Sequence, residues 1–85
     1  MRLFVGNLPM DVDEAELRIC FEQYGPCRRV TILRDAMRNS RQCGFVDMHD
    51  RDGLLAIQEL NQQRWGERKI QVAEARPQVP RKQTA

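Results

Sequence analysis

The apolar residues of this chain change their spacing from every second residue to every third or fourth and back, twice over, and few folds accommodate that alternation. "RLFVGNLP" opens with Leu3 and Val5 on one side and Phe4 and Gly6 on the other, a short strand ended by Pro9. Asp13 is placed to cap a helix, and Glu16 supplies the partner of a capping box. Leu17, Cys20, Phe21 and Tyr24 then recur at helical spacing until Gly25 and Pro26 stop the run. "RRVTIL" returns to period two, with Val30 and Ile32 inward and Arg29, Thr31 and Leu33 outward. After the polar loop "RDAMRNS", the stretch "SRQCGFVDM" sets Gly44, Val46 and Met48 against Arg41, Cys43, Phe45 and Asp47.

A second helix is predicted with Asp50 as its cap and Gly53, Ala56, Ile57 and Leu60 on one face; Gly53 costs it up to ~1 kcal/mol relative to alanine. "QQRWGER" reads as a loop or small hairpin with Trp65 as a lid on the core. "KIQVAEA" reads as the final strand, with Ile70 and Val72 inward. The predicted order is β-α-β-β-α-β, a ferredoxin-like α+β arrangement. A four-stranded antiparallel sheet then carries two helices on one face and leaves the other bare. By alternation the bare face collects Phe4, Arg29, Thr31, Leu33, Arg41, Cys43, Phe45, Asp47, Lys69, Gln71 and Ala73. Two aromatics ringed by cations suit single-stranded nucleic acid, whose bases stack on rings while phosphates find positive charge.

Charge supports this more by its distribution than by its total of +2. Residues 28–41 hold five arginines against Asp35, whereas residues 11–22 hold five acids against Arg18. The last ten residues add Arg76, Arg81 and Lys82 with no acid. Such polarisation steers a polyanion to one side of a molecule. Chemistry of other kinds finds little footing. The three cysteines, Cys20, Cys27 and Cys43, show no CxxC spacing, and His49 is the only histidine, so no zinc site or other metal or cofactor is expected. The thiols read as small hydrophobes. No nucleophile elbow or phosphate loop is present, and the chain is not expected to be an enzyme. No apolar run approaches the ~20 residues of a membrane span, and no signal peptide is visible, so a cytoplasmic location is expected, or a nuclear one in a eukaryote.

At this point the residues resemble the RNA recognition motif family. Its first-strand hexamer is an aliphatic, an aromatic, an aliphatic, any residue, then Asn-Leu, and Leu3-Phe4-Val5-Gly6-Asn7-Leu8 fits throughout. Its third-strand octamer is K/R-G-F/Y-G/A-F-V-x-F/Y. Arg41-Gln42-Cys43-Gly44-Phe45-Val46-Asp47-Met48 keeps the basic residue, the glycine, the second aromatic and the valine, and departs at Gln42, Cys43 and Met48. The resemblance covers about residues 2–75, giving a domain over 1–75; residues 76–85, with two prolines and no core pattern, read as a flexible basic tail. The layout is similar to stand-alone single-motif proteins of bacteria.

The resemblance implies that Phe4 stacks one base and Phe45 its neighbour, and that Arg41 meets the phosphate between them. Cys43 stands where the family has an aromatic wedge between two sugars, so both platforms remain and the wedge is lost. Met48 replaces an inward aromatic, where a thioether fills similar volume. Gln42 replaces a glycine at the strand's entry and is expected to limit the loop's flexibility. Arg28, Arg34 and Arg38 are candidates for phosphate contact, and Arg76 in the tail extends the same charge. Asn7 is expected either to bond its own backbone in a turn or to read a base. Asp47 is either neutral to function or reads a base edge, since it repels phosphate.

Two function classes follow. The first is non-catalytic binding of single-stranded RNA across the sheet; single-stranded DNA satisfies the same stacking, and only contacts to the 2′-OH separate the two. The second is a protein-interaction or homodimerisation role for the helical side. Some relatives bind peptides there with an acidic first helix and an Arg-x-Phe signature. The acidic helix is present, but Arg64-Trp65-Gly66 places its aromatic one position early. Ile19, Leu54 and Leu55 fall where the family often has polar residues, which is what keeps this alternative open.

Overall fold

The computed structural model describes residues 1–75; the tail predicted over 76–85, Arg76 included, lies outside the described residues. The elements follow the order β1 (Arg2–Gly6), α1 (Glu14–Glu22), β2 (Cys27–Arg34), β3 (Ser40–Met48), α2 (Asp50–Leu60), β4 (Arg64–Trp65), β5 (Arg68–Lys69) and β6 (Gln71–Glu74). Four strands form one antiparallel sheet in the order β2-β3-β1-β6, and β4 and β5 form a separate two-stranded ribbon.

Alternation decides the sheet's two faces. Leu3 and Val5 of β1, Ile32 of β2, Val46 and Met48 of β3 and Val72 of β6 are buried under the helices. They meet Leu17 and Phe21 of α1 and Ala56 and Leu60 of α2 in a single core. Burying a side chain such as Phe21 or Leu3 stabilises the fold by about 1.5–3 kcal/mol. The expected capping box is present: the Glu16 amide donates to Asp13 Oδ1 at 2.9 Å, and the Asp13 amide donates to Glu16 Oε1 at 3.1 Å. Trp65 packs against the core from the ribbon, as its reading as a lid required.

Two expectations are corrected. Asp50 does not cap α2: His49 is the N-cap and makes no side-chain cap bond, while Asp50 is already the first helical residue. There its carboxylate faces the positive end of the helix dipole, which suits an acid as well as the cap position does. Gly53 is buried on the same helix face as Ala56 and Leu60, as its spacing predicts, with the flexible end of the Met1 side chain against it. The final strand starts at Gln71, not at Lys69. A two-residue turn with Gly66 at φ +65° folds "RWGER" into the ribbon and pairs Lys69 with Arg64. The chain rejoins the main sheet only after Ile70, which turns into the core.

Candidate nucleic-acid interface

The register of the main sheet sorts the bare face into rows. At one end Arg2, Asp47 and Arg29 stand side by side on β1, β3 and β2. The next row runs Ala73, Phe4, Phe45, Thr31 from β6 to β2. The third is Gln71, Gly6, Cys43. Ten of the thirteen residues singled out for RNA from the sequence are therefore held by β2, β3, β1 and β6 or their ends; the exceptions are Arg38, Lys69 and Arg76.

The two phenylalanines are direct cross-strand partners, their ring centroids 5.8 Å apart at an interplanar angle of 65°. Both are half-buried, with no element of the described chain packed over them. A β-carbon on Gly6 would meet the Phe4 ring at 2.8 Å, so the missing side chain is what lets the ring lie back along the sheet. Cys43, paired with Gly6, is half-buried.

Sequence reading missed Arg2, although it lies two residues before Phe4 and so shares its face by the same period. Its guanidinium carbon lies 5.4 Å from the Phe45 ring centroid, and Nε donates to Asp47 Oδ1 at 3.0 Å. The hydrogen bond and charge of Asp47 raise the Arg2 pKa further above its ordinary range. Among the described residues Arg29, Arg38 and Arg41 form no ion pair, so their charge is open to a polyanion. Leu33 lies at a register shift between Ile32 and Arg34 and pairs with no β3 residue.

Several candidates are otherwise engaged. Arg34 reaches the helical side, where its Nη2 donates to Glu14 Oε1 at 2.9 Å. Arg38 sits with φ +67° in a turn closed by its amide donating to the Asp35 carbonyl at 2.9 Å. Lys69 belongs to the ribbon and leaves the sheet face, for the reason given above. Asn7, at φ +59°, does not bond its own backbone through its side chain. Its Nδ2 donates to the Lys69 carbonyl at 2.8 Å, and its Oδ1 accepts from Arg68 Nη2 at 2.6 Å, tying the end of β1 to the ribbon. Arg68 carried no signal for this in the sequence, because the bond joins residues 61 positions apart.

Gln42 adopts φ +63°, a conformation that favours glycine, while its carbonyl accepts from the Leu8 amide at 2.8 Å. This explains why the family motif has glycine here; the effect of Gln42 is local strain more than loop stiffness. On the helical side Ile19, Leu54 and Leu55 are 71%, 58% and 44% exposed. Burial pushes the Cys27 thiol up to about 11 and also raises Cys20, so neither is a thiolate nucleophile at neutral pH. Among the described residues no cluster of three or more His, Cys, Asp or Glu side chains is arranged for a metal ion. No described helix is long and apolar enough to cross a membrane.

Comparison with known proteins agrees with this geometry. Residues 3–71 match the RNA recognition motif family. The chain is 36% identical to RbpA of Synechocystis sp. over 83 residues, which cover 95% of this chain and 82% of that protein. The solved structure of RNA-binding protein PG1 superposes with a TM-score of 0.87 at 36% identity, covering 95% of this chain and 99% of the other. The Sxl-lethal protein in complex with RNA superposes with a TM-score of 0.88 at 32% identity. That match covers 93% of this chain, which spans about half (48%) of the other.

Proposed function

The chain belongs to the RNA recognition motif family, and from that premise we propose that it binds single-stranded RNA across the bare sheet face without catalysing a reaction. One observation carries the reading: Phe4 and Phe45 lie side by side on a face that no helix covers, with Arg29 in the next row and Arg41 exposed near the start of β3, neither in an ion pair among the described residues. Each ring offers a base a stack worth about 1–3 kcal/mol, and the arginines meet the phosphates on either side. That RNA is bound by the similar Sxl-lethal protein supports the assignment of the ligand.

Replacing both Phe4 and Phe45 by alanine removes the platforms while leaving the core untouched, since neither ring belongs to it. RNA affinity measured by fluorescence anisotropy is expected to fall by a hundredfold or more for ~3 kcal/mol of lost stacking. Unchanged affinity would sink the reading. If about four phosphates are neutralised, log affinity falls with log salt at a slope near −3, from ~0.7 per contact on single strands.

The exposure of Ile19, Leu54 and Leu55 supports a second reading, in which the helical side takes a protein partner or a second copy. Monomeric sedimentation at high concentration, together with failure to recover a partner from extract, counts against it. The two readings use opposite faces and are compatible.

A further inference from the structure

Asp47 is an acid in the middle of a face otherwise built for a polyanion. It neighbours Phe45 on the same face of β3, beside the platform for one base. Arg2 engages only its Oδ1, at 3.0 Å; Oδ2 makes no hydrogen bond among the described residues. The side chain is 26% exposed, on the same face of β3 as Phe45. Oδ2 is therefore an accessible acceptor at the rim of the platform. The Arg2 guanidinium lies over the Phe45 ring, its carbon 5.4 Å from the centroid, a cation–π contact. It restrains the carboxylate and balances its charge against nearby phosphates.

A carboxylate at a base edge accepts hydrogen bonds and donates none. Cytosine, adenine and guanine each present an exocyclic amino group to such an acceptor, whereas uracil presents a single N–H between two carbonyl oxygens that repel it. We propose that Asp47, positioned by Arg2, selects bases with an exocyclic amino group over uracil on the Phe45 platform. The inference rests on the RNA-binding reading above.

Cytosine and uracil differ little in ring size, so oligo-C and oligo-U hexamers separate edge reading from stacking. The test measures both affinities by fluorescence anisotropy for the wild type, Asp47→Ala and Asp47→Asn. The wild type is expected to favour oligo-C by roughly five- to tenfold, from a contact at the low end of the ~1–3 kcal/mol of a base-specific bond. In Asp47→Ala the ratio falls to about one through weaker oligo-C binding, while oligo-U binds at least as well as before, which also shows the variant is folded. Asp47→Asn, whose amide donates as readily as it accepts, relaxes the ratio in the same direction. A wild-type ratio near one, or a preference that survives in Asp47→Ala, overturns the proposal and leaves RNA binding standing. Failure of the wild type to bind either RNA overturns both.

Discussion

The carbonyl oxygen of Thr31 in β2 occupies the space that a β-carbon on Gly44 of β3 would need. The obstacle is backbone, so it has no side-chain rotamer by which to yield. Gly44 is buried, and it lies between Cys43 and Phe45 on the strand that carries more candidate residues than any other. Gly44→Ala is expected to cost about 1–3 kcal/mol or more by overpacking, read as a lower denaturation midpoint in urea. A midpoint within error of wild type would show that β2 and β3 separate easily.

Gln42 gives the opposite case. A non-glycine residue in the left-handed region costs about 1–2 kcal/mol, partly offset by its smaller loss of chain entropy on folding. Gln42 sits there at φ +63°. Gln42→Gly is therefore expected to raise stability by about 0.5–1 kcal/mol, measured by the same urea titration, with RNA affinity little changed.

Cys43 stands opposite Gly6, over which the Phe4 ring lies. An aromatic at this position would restore the missing wedge between the two bases' sugars. Cys43→Phe is expected to tighten RNA binding about tenfold, or ~1.4 kcal/mol, by isothermal titration calorimetry. Equal or weaker affinity would mean that an aromatic at this position finds no sugar to pack against.

Most of this architecture was legible because it rests on local signals. Period-two alternation placed Phe4, Phe45 and Asp47 on one face before any register was known, and the capping box at Asp13 and Glu16 was read from spacing alone. What was missed depends on contacts between distant residues. Lys69 was assigned to the sheet because "KIQVAEA" alternates without a break, and only the closing of the ribbon on Arg64 removes it. Asn7 fits its motif, yet its side chain is held by Arg68 and the Lys69 carbonyl. Arg2 escapes an alternation that starts at Leu3, although it is the first residue of β1 and shares the face of Phe4.

Glu14 links the interface side to the helices through Arg34. Burial pushes its carboxyl up, but hydrogen bonds from its own backbone, Arg34 and the Ile32 amide, with the charge of Arg34, outweigh this and hold it below its ordinary 4.5. A depressed folded pKa contributes stability that is present above 4.5 and lost as pH falls through the lower folded value. The excess stability of wild type over Glu14→Gln is therefore expected near neutrality and to shrink as pH drops below 4.5, followed by thermal melts across acid pH. A difference that does not vary with pH would show that the Glu14–Arg34 pair carries none of it.

The central claim is that the sheet face, and not the helical face, receives RNA. Titration of isotopically labelled protein with a pool of short randomised RNA, followed by backbone NMR shifts, tests it most directly. Shifts are expected to concentrate at Arg2, Phe4, Arg29, Arg41, Cys43, Phe45, Asp47 and Gln71, with Ile19, Leu54 and Leu55 quiet. A silent sheet with shifts gathered on α1 and α2 would contradict it.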